Sequence, residues 1–108
     1  MAKTTLLQGT LDLLILRTLA LGPLHGVGIA DRIAQVTQGT FDVKAGSLFP
    51  ALHRLEAEAW VTGAWGETQT GRRAKLYTLT SAGRKHLAEQ KKSWERVALA
   101  IQQVLEMS

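Results

Sequence analysis

Apolar residues crowd the start of this chain and thin out toward its end. Leu6, Leu7, Leu11, Leu13, Leu14, Ile15, Leu16, Leu19 and Leu21 predict a first helix that is apolar on nearly every side. A helix resting on one small domain needs only one apolar stripe. This one must be covered twice, by its own domain and by another surface, which points to oligomerisation. Gly22-Pro23 stops it, because proline disfavours the helical region for the residue before it. Ile29, Ile33 and Val36 stand at helical spacing and predict a second helix over 25–37, with Gly39 placed to end it. Phe41 and Val43 alternate, so 40–43 reads as a brief strand.

A third helix carries Leu48, Ala51, Leu52 and Leu55 on its inner side. Pro50 belongs near its start, where the N–H groups have no intrahelical partner anyway. Ser47 is a candidate cap, the start lying there or a few residues earlier. Residues 60–65 and 75–79 read as strands joined by the polar loop 66–71. Thr80 or Ser81 caps a last helix reaching about Met107, roughly 40 Å long at about 1.5 Å per residue. Its apolar positions Leu87, Trp94, Val97, Ala98, Ile101, Val104 and Leu105 recur every three or four residues. One small domain cannot bury that stripe, so pairing with a second copy is expected. Leu14, Leu87, Trp94, Ile101 and Leu105 are the residues expected in the shared seam.

Composition narrows the class. The chain has 108 residues, 45% hydrophobic and 20% charged, as for one small globular domain. The net charge of +4 favours anionic partners, and its placement matters more than its size. Arg72, Arg73 and Lys75 crowd beside Gly71 at a hairpin tip, against the single acid Glu67. With no cysteine, disulfides, thiolate catalysis and Cys-type zinc sites are excluded, which fits a cytoplasmic protein. Lys3 and the apolar run ending Ala20-Leu21-Gly22 faintly resemble a secretory signal. Asp12 and Arg17 interrupt that run, and it is too short to span a bilayer. His25, His53 and His86 fall on three elements without close ligand spacing, so neither a metal nor a cofactor is expected. Glu56 and Glu58 are two apart on a helix and face different directions. No nucleophile triad or phosphate-cradling glycine loop is present, and no enzyme is expected.

Helix, helix, short strand, helix and two strands with a basic tip is the order of a winged helix-turn-helix, a mainly α fold with a small β-wing (α+β). Residues 1–80 form that domain and 81–108 a dimerisation helix. The exposed face of the third helix offers Lys44, Ser47, Phe49, Pro50, His53 and Arg54 to duplex DNA. Arg54 and Lys44 can reach guanine edges or phosphate, Ser47 any base, and Phe49 or Pro50 a thymine methyl. Arg72, Arg73 and Lys75 on the wing suit phosphates, since guanidinium forks match their geometry. Trp60 and Trp65 read as packing residues, Trp65 bracing the wing against its partner strand.

Three blocks carry a family resemblance. Leu24-His25-Gly26-Val27-Gly28-Ile29, Gly46-Ser47-Leu48-Phe49-Pro50-Ala51-Leu52-His53-Arg54-Leu55-Glu56 and Gly71-Arg72-Arg73-Ala74-Lys75-Leu76-Tyr77-Thr78-Leu79-Thr80 resemble the signature blocks of PadR-type transcriptional regulators. The single C-terminal helix resembles the compact subgroup. The resemblance implies a homodimeric repressor whose first and last helices interlock, with operator contacts from the third helix and wing. The chain departs from the family pattern at Val27, Phe49 and Leu76-Tyr77, and Phe49 lacks the phenol that could bond a phosphate or base. The segment Ser93-Trp94-Glu95-Arg96-Val97 resembles drug-responsive members, in which paired Trp side chains sandwich a planar aromatic effector. Trp94 is therefore either that platform or a plain seam residue. The rival functions are a winged-helix module that binds protein instead of DNA, and a metabolite-binding dimer with degenerate DNA contacts.

Overall fold

The computed structural model describes residues 8–108. Leu6 and Leu7, read above as part of the first helix, lie outside the described residues. In chain order come α1 (Gln8–Ala20), β1 (Leu24–His25), α2 (Gly26–Val36), α3 (Ala45–Ala57), β2 (Val61–Glu67), β3 (Arg73–Leu79) and α4 (Ser81–Leu105). Four helices and a three-stranded antiparallel sheet, ordered β1-β3-β2, make an α+β fold.

The centre of the domain is α1. Leu11, Ile15, Leu16 and Leu19 are buried on it, and Leu13 and Leu14 pack half-buried against the same core. They meet Ile29 and Ile33 of α2, Leu48, Ala51, Leu52 and Leu55 of α3, Val61, Tyr77 and Leu79 of the sheet, and Leu87 of α4. The leucine-rich start is thus mostly covered by its own chain. The apolar surplus sits instead on the distal half of α4, where Trp94, Val97, Ile101, Val104 and Leu105 are all exposed. Leu87, expected in a seam between subunits, is only 9% exposed and belongs to this chain's own core. It lies near the root of α4, where that helix still crosses α1.

The brief strand expected at 40–43 does not form. Val43 is buried and Phe41 half-buried, but their backbone has no ladder partner, and the Phe41 N–H donates to Thr37 Oγ1 at 3.2 Å. The free edge of β3 is taken by β1, with Leu24 opposite Tyr77 and His25 opposite Leu76. Helix α3 begins before Ser47, with Lys44 at the N-cap, so Ser47 is no cap and Pro50 lies in the second turn. Proline there leaves the Gly46 carbonyl without its helical donor, at a residue that is exposed to solvent.

Helices α2 and α3 stop in the same way. Gly39 N–H reaches back to Ala34 O at 2.8 Å, and Trp60 N–H to Leu55 O at 3.0 Å. The left-handed residues these closures require are Gln38 (φ 51°) and Ala59 (φ 62°). Helix α4 starts cleanly, as Thr80 Oγ1 accepts from the Gly83 N–H at 2.9 Å. Its first turn presses so closely on the start of the wing that a Cβ on Gly83 would run into the Trp60 carbonyl oxygen. Gly83→Ala should therefore lower stability by about 1–3 kcal/mol, as overpacked core sites do. Urea denaturation at fixed protein concentration measures this, and the helix-favouring change should show no compensating gain.

Candidate nucleic-acid interface

Two surfaces converge on one side of the domain. The first is the outer face of α3. Because Leu48, Ala51, Leu52 and Leu55 point inward, Ser47, Phe49, Pro50 and His53 are left exposed, with Lys44 at the helix start. The α3 N-terminus has no side-chain cap, so its first N–H groups face outward and suit an anion. Lys44 makes a surface pair with Asp42 at 2.6 Å, which solvent renders weak. Phe49 is 44% exposed, and its ring rests on α2 where a Cβ at Gly26 would collide with it. Gly26 is thus what lets the two helices of the turn approach.

The second surface is the wing. Strands β2 and β3 pair from Val61↔Leu79 to Glu67↔Arg73, longer at the tip than the sequence suggests. The tip is 68–72, closed by Gly71 N–H to Thr68 O at 2.9 Å, with Gly71 at φ 80°. Arg72 is exposed at this tip, while Arg73 opens β3 and holds its guanidinium 5.3 Å from the Trp65 ring centroid. Among the described residues, neither arginine has a carboxylate partner. Between wing and α3 lies an open cleft of about 460 Å³, walled by Phe49 and His53 on one side and Trp65 and Arg73 on the other.

Two of the expected DNA contacts are otherwise engaged. Lys75 Nζ bonds Glu56 Oε1 at 2.7 Å, lying across Gly63, which has no Cβ to obstruct it. The hydrogen bond to Glu56 pushes the Lys75 ammonium above its ordinary value. This cation ties the wing to α3. Arg54 Nη2 bonds Asp12 Oδ1 at 2.7 Å, tying α3 to α1. Its place beyond the inward-facing Leu52 and Leu55 turns it to the neighbouring helix instead of a base edge. Beside that pair, Trp60 and His86 stack at 3.5 Å and 10° between ring planes, joining the start of the wing to α4.

His25 Nδ1 donates to the Lys75 carbonyl oxygen at 3.2 Å, His53 is exposed and His86 is stacked. The three stay on separate elements, and no group of metal-ligating residues occurs among the described residues. Glu56, Asp12 and Gly63 escaped sequence reasoning because acids and glycines at such positions are ordinary. Trp65 is 62% exposed and so is no core residue, but it does meet its partner strand, with the Arg73 guanidinium 5.3 Å and the Lys75 ammonium 5.9 Å from its ring centroid. Strand register was the available signal, since it sets Trp65 opposite Lys75 on the cationic face. On the far side of the domain, Trp94 is 52% exposed and borders an apolar hollow of about 320 Å³ with Leu13, Leu14 and Phe41.

Comparison with known proteins agrees with this geometry. The model of the transcriptional regulator PadR-like family matches residues 15–89. The chain is 30% identical over 97 residues to an uncharacterized protein of Lysinibacillus sphaericus, covering 90% of this chain and 89% of that one. It is 31% identical over 84 residues to the transcriptional regulator Rv3488 of Mycobacterium tuberculosis, covering 78% and 75%. A PadR family transcriptional regulator from Eggerthella lenta superposes with a TM-score of 0.81 at 25% identity, covering 94% of this chain and 86% of that one.

The Asp12–Arg54 pair generates a test in pH. Burial raises the Asp12 carboxyl above its ordinary value, and the Arg54 charge and hydrogen bond only partly oppose it. A raised folded-state value means the folded protein holds that proton more tightly than the unfolded chain. The group's contribution is then full below the unfolded value and is lost as pH rises through the folded one. The stability of the native chain minus that of Asp12→Asn should therefore fall as pH rises from about 4, the ordinary Asp value, toward neutrality. Denaturation midpoints of both proteins across that range check the sign.

Proposed function

The chain belongs to the PadR-like family of transcriptional regulators, and from that premise we propose that it is a homodimeric, sequence-specific DNA-binding repressor of the cytoplasm, relieved by a planar aromatic effector. It is a regulator and not an enzyme. The observation that carries the reading is the cleft between α3 and the wing, with the outer face of α3 on one wall and Arg73, which has no carboxylate partner among the described residues, on the other. A helix of this kind fits the major groove, and a cationic hairpin beside it fits the flanking backbone. Ser47, Pro50, His53 and Phe49 are the candidate base readers, and Lys44, Arg72 and Arg73 the phosphate contacts. Lys75 ties the wing to α3 through Glu56, and Arg54 ties α3 to α1 through Asp12.

Dimerisation is supported by the exposed stripe on α4. Trp94, Val97, Ile101, Val104 and Leu105 lie on one helical face that the rest of the described chain does not cover. A second copy of the same helix supplies a matching stripe. Leu14 stands near its root, half-buried in the hollow beside Trp94. Two indoles brought together there would offer flat faces to a planar aromatic molecule, which is the basis for the effector reading. No helix among the described residues is long and apolar enough to cross a membrane.

Fluorescence anisotropy with labelled duplexes at two salt concentrations tests DNA binding, since phosphate contacts must weaken as salt rises. Replacing Arg72 and Arg73 together by Ala should weaken operator and random duplex alike and lower the salt slope by about two. Ser47→Ala should cost about 1–3 kcal/mol on the operator and far less on random DNA. Salt-independent binding, or none, would favour the protein-interaction module. Light scattering of Ile101→Glu should show a monomer in place of a dimer, because a charge in an apolar seam is costly to desolvate. A dimer that survives that change would move the interface elsewhere.

A further inference from the structure

The wing displays an aromatic ring that neither the core nor the helix face uses. Trp65 is 62% exposed, on the same sheet face as Arg73 and Lys75. Lys75 is neutralised by Glu56, whereas Arg73 meets no carboxylate among the described residues and lies over the indole, 5.3 Å from its centroid. The wing thus presents a flat, largely exposed ring with one cation that has no carboxylate partner among the described residues held over it. Both line the cleft whose other wall is Phe49 and His53.

We propose that Trp65 and Arg73 together form a seat for the backbone of one DNA strand, the indole against a deoxyribose and the guanidinium on its phosphate. The inference rests on the DNA-binding reading above and specifies how the wing would grip. A nucleotide backbone carries an apolar sugar edge and an anionic phosphate side by side, matching ring and cation in both chemistry and spacing. Arg73 is already held by the ring, so less of its side-chain freedom remains to be lost on contact. An apolar protein surface could cover the ring, but it would leave Arg73 and the nearby Arg72 without counter-charge. The consequence distinguishes this seat from a purely ionic wing: part of the grip releases no counterions and does not respond to salt.

The test uses the full chain with Trp60→Phe and Trp94→Phe, so that Trp65 alone emits, and a random-sequence duplex of about two helical turns at low salt. Acrylamide should quench Trp65 freely in the free protein and much less at saturation, with the midpoint seen by anisotropy of the same duplex. In the otherwise native chain, Trp65→Ala should weaken binding roughly tenfold with the salt slope unchanged, a loss within the range for an aromatic platform. Trp65→Thr, which suits a strand, should do the same, and Trp65→Phe should retain most of the affinity. Arg73→Ala should instead lower the slope by about one. Native affinity in both Trp65→Ala and Trp65→Thr overturns the seat, as does anisotropy that saturates while Trp65 stays open to acrylamide. Shielding of Trp65 by raised protein concentration without DNA overturns it in favour of a protein interface. Failure of the unsubstituted chain to bind any duplex defeats the DNA reading itself, and the seat with it.

Discussion

Everything in this domain is hung on the burial of one helix. Ile15, Leu16 and Leu19 of α1 are almost wholly removed from water and touched by α2, α3, β3 and α4 in turn. Side chains of that size contribute about 1.5–3 kcal/mol each when fully buried, a large fraction of what holds a small domain together. The helix bearing the polar recognition face, the sheet bearing the wing and the root of α4 are therefore placed relative to α1 before any polar contact acts. Asp12–Arg54 then adds orientation at some electrostatic cost, since burial opposes the carboxylate more than the guanidinium favours it.

A second constraint acts across the cleft. Lys75 reaches over Gly63 to Glu56, so the separation of wing and α3 is set by one ion pair and by the absence of a Cβ beneath it. Side-chain rigidity on both walls complements this. Phe49 is seated on Gly26, and Arg73 is held over Trp65. A surface so fixed loses little freedom on meeting a rigid duplex, and lower ordering costs favour tighter association.

Much of this was legible in the chain because it depends on periodicity. The inner faces of α2 and α3, the two long strands and the Thr80 cap follow from local spacing and turn chemistry. What was not legible depends on neighbours distant in sequence. The two-residue β1 exists only because β3 offers it an edge, and 40–43, equally suited to a strand, has none. Arg54 and Lys75 looked like DNA contacts until Asp12 and Glu56, 42 and 19 residues away, came into place. Leu87 fits the α4 stripe by spacing alone, yet the crossing with α1 draws it into the core. Trp65 differs again: large aromatics are usually buried, and the register sets it on the same face as the buried Val61, Tyr77 and Leu79, but the wing carries it past the core, where it is 62% exposed.

The fit of Gly83 beneath the Trp60 carbonyl, with the Trp60–His86 stack beside it, makes the base of α4 a clamped pivot. The whole helix is 25 residues long, about 37 Å at about 1.5 Å per residue; past the pivot it crosses α1 and carries its distal half into solvent. It is a lever whose short end is fastened to β2 and whose long end carries Trp94 and Ile101. A tilt of a few degrees displaces the far end by about 2 Å over such a length, so small repacking far out becomes an angular change at the clamp. In the proposed DNA-binding dimer that angle would set the distance between the two copies of α3, which would have to match about 34 Å, one turn of DNA. The close fit at a single glycine thus couples packing at the far end of α4 to the angle at which that helix leaves the domain.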